Sequence, residues 1–231
     1  MMESSMSKSH KLFVFNLGFD ATHVIARLAS QSVTDGDKVL VVLPSQSKSE
    51  RVDVALSSVE LFLKQMASRG VQVKLEKVLV NELSMKGTLV TIYRALSSEE
   101  GQIFVELSGG LRILVLATYL AASLKSAYDK LSDVKIITRL ESTGSEVEVP
   151  PMFLPIKLDF ELLSSLSENP LRISQLSTML GKEKSSVSRK IRKYEQMKIV
   201  QRSKNFWTLT ETGRILCEVA SIEKERRGSM S

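Results

Sequence analysis

Over its first 150 residues, the chain alternates short apolar runs, rich in β-branched and aromatic residues, with segments whose apolar residues recur at helical spacing. The apolar runs predict buried strands, and the spaced segments predict amphipathic helices. This alternation favours a parallel sheet, because parallel neighbours need a crossover that packs on a face of the sheet. We therefore predict an α/β, Rossmann-like fold with a mostly parallel six-stranded sheet and helices on both faces. The predicted strands are 11–15, 38–43, 71–80, 102–107, 133–140 and 145–150, and the predicted helices are 21–30, 52–68, 89–98 and 111–128.

The pattern changes after three prolines, Pro150, Pro151 and Pro155. Helical segments then follow one another at 156–169, 173–180 and 182–197, with Ser174 as the expected cap of the second. A two-stranded wing over 201–210 leads into a last helix from about Thr210. We therefore predict a tail at 1–10, an α/β domain at 11–150, a linker at 151–157, a winged helix-turn-helix domain at 158–226 and a tail at 227–231.

The net positive charge of the chain comes from its second part. Residues 1–155 contain 17 Lys and Arg against 17 Asp and Glu, whereas residues 156–231 contain 15 against 9 and account for the net charge of +6. This asymmetry favours contact between the second part and nucleic acid, with a solvated basic face as the alternative.

Residue types that carry catalysis or bind metals are scarce. Cys217 is the only cysteine, which excludes an internal disulfide and a cysteine-rich metal cluster and favours a cytoplasmic protein. No apolar run reaches the roughly 18–20 residues that span a bilayer, so no membrane partner is predicted. His10 and His23 are the only histidines, and His23 is expected on a helix surface rather than in a site. We therefore predict a protein that is not an enzyme and uses neither metal nor cofactor.

Residues 182–197 form an amphipathic helix in projection, with Val187, Ile191 and Tyr194 on one face. The opposite face carries Ser, Arg and Gln side chains, which suit the recognition helix of a helix-turn-helix in the major groove. The residues predicted to contact double-stranded DNA are Ser185, Ser186, Ser188, Arg189, Arg192, Lys193 and Gln196 on this helix and Arg202, Lys204 and Asn205 on the wing.

Residues 171–213 resemble the winged helix-turn-helix of bacterial and archaeal transcription regulators, through "SSVSR" at the start of the recognition helix and "LTETG" before the last helix. Two positions depart from that pattern. Lys198 stands where a glycine commonly turns the chain into the wing, so a strained backbone is expected there. Tyr194 stands where leucine is usual. The alternative is a winged helix that serves only for protein contacts.

Two loops with glycine follow predicted strands, "NLGFD" at 16–20 and "SGGLR" at 108–112. Neither is a Walker loop or a G-x-G-x-x-G motif. Both lie at the carboxyl edge of a parallel sheet, where ligands bind, and glycine amides with a helix N-terminus suit an anion such as phosphate. Tight helix–sheet packing is the alternative reason for the glycine pair. The residues predicted to bind the ligand are Leu17, Gly18, Phe19, Asp20, Ser108, Gly109, Gly110 and Arg112.

With these two loops ahead of a winged helix, the chain resembles the CRISPR-associated Rossmann-fold (CARF) transcription regulators of archaea. The resemblance implies a homodimer whose loops form one pocket on the two-fold axis, with cyclic oligoadenylate, chiefly cyclic tetra-adenylate, as the ligand and promoter DNA, expected to be palindromic, as the partner. The ligand roles carry over to Gly18, Phe19, Ser108, Gly109, Gly110 and Arg112.

Three alternatives stay open at this point. The first is a ring nuclease that cleaves cyclic oligoadenylate, although neither loop contains a general base. The second is a transcription regulator that senses another nucleotide-like metabolite. The third is a CARF-like enzyme whose basic tail binds RNA, which the lack of a catalytic set in residues 156–231 disfavours.

Overall fold

The computed structural model describes residues 10–46, 49–129, 131–140, 143–152 and 158–228. The chain divides into two compact units, Met1–Phe153 and Leu154–Ser231. Most of the predicted N-terminal tail, most of the predicted linker and residues 229–231 lie outside the described residues.

The first unit is a six-stranded sheet in which strands and helices alternate along the chain. The strands are β1 (Lys11–Asn16), β2 (Lys38–Pro44), β3 (Lys74–Val80), β4 (Gly101–Glu106), β5 (Ser132–Arg139) and β6 (Glu146–Glu148), and the helices are α1 (Thr22–Ser30), α2 (Glu50–Ser68), α3 (Met85–Ser97) and α4 (Arg112–Tyr128). In the order β3-β2-β1-β4-β5-β6, the first five strands are parallel, and β6 runs antiparallel to β5. The predicted fold class is confirmed.

Alternate residues of the central strands are buried on opposite faces of the sheet. Phe13 and Phe15 of β1 pack in one buried cluster with residues of β2, α1 and α2. Leu12 and Val14, which alternate with them, are also buried. Because α3 and α4 pack on each other and α4 contacts β1, β4 and β5, helices cover both faces.

The strand order reverses between β1 and β4, which are neighbours in the sheet but far apart in sequence. The loops that follow these two strands, residues 17–21 and 107–111, leave the same edge of the sheet because the strands are parallel. This reversal point is where open α/β sheets bind ligands.

Some element boundaries differ from the prediction for local reasons. Helix α3 begins at Met85 rather than 89, because the Ser84 hydroxyl caps it by accepting a 3.1 Å hydrogen bond from the Gly87 N–H. Helix α2 ends at Ser68 as predicted, and Gly70 takes φ +85° directly after the C-cap residue Arg69. The last predicted strand is reduced to the three residues of β6.

The second unit has the element order of a winged helix. It contains α5 (Phe160–Ser164), α6 (Ile173–Leu180), α7 (Lys184–Gln196), β7 (Val200–Ser203), β8 (Phe206–Leu209) and α8 (Glu211–Gly228), with β7 and β8 paired antiparallel as the wing. Four leucines within the predicted first helix are buried, namely Leu158, Leu162, Leu163 and Leu166. That helix is much shorter than 156–169, although residues 156 and 157 are outside the described part.

The expected cap of the next helix was wrong. Ser174 lies inside α6, which begins at Ile173 with Arg172 as its N-cap residue. The Gln175 side chain accepts a 2.8 Å hydrogen bond from the Arg172 N–H, which satisfies the backbone donor at the start of this helix.

Candidate functional site

The two glycine loops of the first unit, residues 17–21 and 107–111, touch each other through their backbones. A Cβ atom on Gly18 would lie 3.0 Å from the Cα of Gly110. Gly110 has φ +88°, and a Cβ atom there would lie 2.7 Å from the Cβ of Asn16. The structure therefore brings the two predicted loops together, and close packing by itself requires glycine at Gly110 and favours it at Gly18.

His23 lies beside the second loop, and the expectation of a plain helix-surface position was wrong. A Cβ atom on Gly109 would overlap its imidazole, which explains the first glycine of the pair. Nε2 lies 3.2 Å from the Asn16 carbonyl oxygen, so Nε2 carries the hydrogen in the neutral ring. Burial lowers the pKa of His23 below the ordinary 6.5, so the ring is neutral at pH 7. His23 is in the first turn of α1, whose side chains point back toward the loop before it.

Two residues of the first predicted loop are engaged within the protein. Leu17 is fully buried, and its N–H donates a 3.1 Å hydrogen bond to the Val42 carbonyl. Neither its side chain nor its amide is therefore left for a ligand, and Leu17 does not belong to the surface that a ligand can contact. The Asp20 carboxylate accepts hydrogen bonds from the hydroxyl and N–H of Thr22, at 2.7 and 3.0 Å, which lower the pKa of Asp20.

The hydroxyl of Ser108 is also used inside the unit. It donates to the carboxylate of Glu106 and accepts a 2.7 Å hydrogen bond from the Arg139 N–H. Ser108 therefore fixes the start of the second loop to β4 and β5, and its side chain is not a free donor for a ligand.

The exposed residues of the two loops are Phe19, Asp20 and Gly110, and Arg112 beside them is exposed as well. Arg112 is the first residue of α4, and the N-cap residue Leu111 provides no side-chain cap. The first turn of α4 also contains no acidic residue, so its N–H groups and dipole favour an anion. The Arg51 guanidinium lies 4.7 Å from the Phe19 ring centroid, so a second cation adjoins the first loop.

A cluster of charged residues behind the second loop was missed by the sequence analysis. Glu106 and Arg27 are only 1% and 3% exposed, and the Arg27 Nε and Arg139 Nε atoms each lie 3.9 Å from Glu106 Oε2. Glu146 Oε1 accepts from Arg27 Nη1 at 2.5 Å and from Arg139 Nη2 at 3.1 Å. Burial raises the pKa of Glu106, and the hydrogen bond from Arg27 lowers the pKa of Glu146. The signal available in the sequence was a glutamate inside the apolar strand that leads into the loop.

In the second unit, the outer face of α7 forms a shallow concavity of about 610 Å³. The buried face of the helix is the predicted one, with Val187, Ile191 and Tyr194 at most 2% exposed. The concavity is lined by predicted residues only, namely Ser185, Ser188, Arg189, Arg192, Lys193 and Gln196. Ser186 is exposed but is not among the lining residues.

Tyr194 departs from the usual leucine because its hydroxyl is used. It accepts a 2.7 Å hydrogen bond from the N–H of Asp159, the N-cap residue of α5. The Asp159 carboxylate in turn pairs with Lys190 at 2.6 Å and with Lys182 at 3.2 Å. Burial opposes its ionisation, but the hydrogen bonds from Lys190 and the Leu162 N–H lower the pKa of Asp159 overall. Two of the basic residues near α7 are therefore neutralised within the unit.

The wing carries the expected strain at its entrance. Lys198 has φ +55°, and Lys204 at the tip has φ +54°. Arg202, Lys204 and Asn205 are exposed as a wing contact requires, although Arg202 Nε donates to the Lys204 carbonyl at 2.8 Å. Of the described residues, no group of three His, Cys, Asp or Glu is arranged to hold a metal ion in either unit, and none of the described helices has the length and apolarity to cross a membrane.

Two of the solved structures that resemble this chain illustrate how distant the likeness is. Can2 from Sulfobacillus thermosulfidooxidans, solved in complex with cyclic tetra-adenylate, matches at 11% identity and a TM-score of 0.40 over 94% of this chain and 66% of that chain. Protein VC1899 from Vibrio cholerae matches at 11% identity and a TM-score of 0.44, over 93% of this chain and 65% of that one. The chain thus spans slightly less than two thirds of each of these proteins. No curated protein matches it.

Two family models match the chain. Residues 152–223 match the N-terminal domain of the methanogenesis regulatory protein FilR1, which is consistent with the winged helix seen in the second unit. Residues 11–150, more than half of the chain and most of the first unit, match the Csa3 CRISPR-associated Rossmann-like domain. The chain therefore belongs to the Csa3 family of proteins with a CRISPR-associated Rossmann-like domain.

Proposed function

We propose that this protein is a ligand-responsive, DNA-binding regulator of CRISPR-associated genes that senses cyclic oligoadenylate, with cyclic tetra-adenylate as the first candidate. The observation that carries the proposal is the N-terminus of α4, which has no side-chain cap and no acidic residue in its first turn and lies beside the two touching glycine loops. The same chain also presents the basic outer face of α7. Family membership adds the CRISPR association. The alternative ligand is another nucleotide-like metabolite, and the titrations below distinguish the two.

Phosphate recognition is assigned to the first turn of α4. The N–H groups there and the positive end of the helix dipole attract an anion, and the exposed Arg112 adds a charge that can pair with a phosphate in two hydrogen bonds. Gly110 is exposed beside this turn, and Phe19 offers an aromatic face for an adenine ring. Asp20 is suited to a ribose hydroxyl or an adenine amino group rather than to phosphate.

Calorimetric titration of the full chain with cyclic tetra-adenylate, linear tetra-adenylate and ATP tests this assignment. We expect the ring to bind most tightly, and Arg112→Ala to weaken it by about 1.5–3 kcal/mol through loss of a charge-assisted hydrogen bond. Arg94→Ala is the matched control, because Arg94 is exposed in the last turn of α3, at the opposite edge of the sheet. Equal binding of the three ligands would exclude a dedicated ring sensor.

A pocket shared by two copies would give the shallow loop surface the depth that a large ring needs. A homodimer is supported by exposed apolar side chains in the elements that form or adjoin this edge, since Phe19 is 52%, Leu83 82% and Leu116 56% exposed. A four-membered ring of identical nucleotides can share the two-fold axis of such a dimer. Sedimentation should show a dimer at tens of micromolar and a monomer for Leu116→Glu, and a monomeric wild type would exclude a shared pocket.

DNA binding is assigned to the outer face of α7 and to the wing. Arg189→Ala should weaken binding by about 1–3 kcal/mol and relax preference at one base pair per half-site, with Arg192→Ala the second candidate. Lys204→Ala should weaken binding to all sequences and reduce by about one the slope of log affinity against log salt concentration. Lys190→Ala is the control, because Lys190 is already paired with Asp159. Footprinting of the gene's own upstream region at several salt concentrations tests these outcomes, and a wild type that protects no duplex would reject this assignment.

Ring cleavage is a second candidate function, and the position of His23 favours it. Because Nε2 of the neutral His23 ring donates to the Asn16 carbonyl, only Nδ1 can accept the proton of a ribose 2′-hydroxyl as that oxygen attacks the adjacent phosphorus and displaces the 5′-oxygen, which takes a proton from water. Chromatography of cyclic tetra-adenylate after long incubation would show linear products with a 2′,3′-cyclic phosphate. His23→Gln should abolish them if the imidazole is the base.

A further inference from the structure

Glu146 is shared by two arginines that differ in their surroundings. Its Oε1 atom accepts from Arg27 Nη1 at 2.5 Å and from Arg139 Nη2 at 3.1 Å. Arg27 is 3% exposed, whereas Arg139 is 22% exposed and Glu146 is 43% exposed. The Arg139 pair is therefore the longer and more solvent-exposed of the two, and it is the easier of the two to exchange for another anion. Arg27 can retain Glu146 when Arg139 gives it up.

Arg139 adjoins the loop to which we assign phosphate binding. Its backbone N–H donates a 2.7 Å hydrogen bond to the hydroxyl of Ser108, the residue before Gly109. Its positive charge also contributes to lowering the pKa of His23, whose ring lies against Gly109. Among the described residues, Arg139 donates a side-chain hydrogen bond from Nη2 alone, to Glu146, while its Nε is buried and lies 3.9 Å from Glu106 Oε2. The guanidinium thus has donor capacity that Glu146 does not use.

We propose that Arg139 is a phosphate-binding residue of the loop site and that a ligand phosphate replaces Glu146 at its guanidinium. This inference rests on the proposed function, because it assumes a phosphate-bearing nucleotide at the loops. Phosphate suits the exchange, since guanidinium pairs with it through two parallel hydrogen bonds, whereas Glu146 accepts from Arg139 through one oxygen.

The exchange would loosen β6. This strand is three exposed residues long, and side-chain pairs tie it to β5 at each end, Arg139 with Glu146 and Lys135 with Glu148 at 3.3 Å. In the chain, β6 is the last strand before the residues that lead to the second unit. Ligand binding at the loops would thus alter β6, the strand after which the chain leaves the sheet. This change would link the ligand physically to the segment that follows β6.

Calorimetry with cyclic tetra-adenylate on the full chain tests the exchange through two substitutions that should change the affinity in opposite directions. Glu146→Gln removes the competing charge while its amide oxygen still accepts from Arg27, so affinity should rise about two- to tenfold. Arg139→Ala should reduce affinity about tenfold or more. Glu148→Gln is the matched control, because it removes the same charge from the same strand at a residue paired with Lys135, and its affinity should equal that of the wild type.

Hydrogen exchange of the 146–149 amides gives a second readout. Ligand should speed exchange there in the wild type, and Glu146→Gln should show that faster exchange without ligand. Unchanged affinity in Glu146→Gln or Arg139→Ala overturns the proposal, as does a gain in Glu148→Gln equal to that in Glu146→Gln. A wild type that binds none of the three nucleotide probes overturns the proposed function itself, whereas a wild type that binds but does not respond to these substitutions overturns only the exchange.

Discussion

The loop site of the first unit and the α7 face of the second unit are built in different ways. The loop site joins the ends of β1 and β4 to the start of α4, and its glycines are fixed by contacts with Asn16, His23 and one another. The α7 face comes from one continuous helix, and its side chains meet because a helix repeats every 3.6 residues. Periodicity therefore predicts the second kind of site residue by residue, whereas for the first kind it predicts only the edge of the sheet.

The largest expected effect tests whether the glycines of the loop site are held by packing. Gly110→Ala places a side chain at φ +88° and 2.7 Å from Asn16, so the free energy of unfolding should fall by about 2–4 kcal/mol. Gly181→Ala is the matched control in the second unit, because Gly181 has φ +59° with no atom near its Cβ position. It should cost only about 1 kcal/mol. Urea unfolding followed by circular dichroism compares them, and equal losses would mean that backbone conformation alone sets the effect.

The next prediction concerns the hydroxyl of Tyr194, the α7 residue that stands where leucine is usual. Tyr194→Phe leaves the half-buried N–H of Asp159 without its acceptor, so the second unit should lose about 1–2 kcal/mol. Trp207, the only tryptophan, lies in this unit, so its fluorescence follows the loss directly. Tyr119→Phe is the control, because its hydroxyl bonds to Pro150 in the first unit and should leave the Trp207 transition unchanged. A stable Tyr194→Phe would make the tyrosine a packing residue only.

The contrast between the two regions explains what the sequence could predict. The apolar runs predicted every strand and the sheet type, and the stripe of Val187, Ile191 and Tyr194 predicted which face of α7 is buried. Arg27 and Arg139 could not be predicted as neighbours of Glu106, because only the strand order brings α1, β4 and β5 together. The buried side of His23 was missed for the same reason, since its partner is a loop distant in sequence.

Acid should destabilise the two units over different pH ranges. Because burial lowers the pKa of His23 in the folded state, the unfolded chain binds a proton that the folded unit does not as the pH falls below about 6.5. The first unit should then lose up to about 1.4 kcal/mol per pH unit through this residue. The pKa of Asp159 is lowered in the folded state, so this residue contributes its full stability to the second unit at pH values above the ordinary pKa of 3.8. That stability is lost as the pH falls through the pKa of Asp159 in the folded state.

Urea unfolding at pH 7 and pH 5.5 compares wild type with His23→Gln. Their difference isolates His23, because the contribution of Glu106, whose pKa is raised by burial and whose effect has the opposite sign, is common to both. The second unit contains no histidine, so the Trp207 transition should not show this slope. The same pH slope in wild type and His23→Gln would assign the acid sensitivity to another group.

The smallest expected effect lies at the entrance to the wing and carries the opposite sign to the loop glycines. Lys198 holds φ +55°, where a side chain is strained, and its side chain is exposed. Lys198→Gly should therefore raise the free energy of unfolding of the second unit by about 0.5–1 kcal/mol, because the relief of strain exceeds the entropy that glycine adds to the unfolded chain. Lys193→Gly, inside α7, is the control and should lower it by about 1 kcal/mol. The midpoint of the Trp207 transition measures both, and a lower midpoint for Lys198→Gly would mean that the strain at this turn is smaller than its φ indicates.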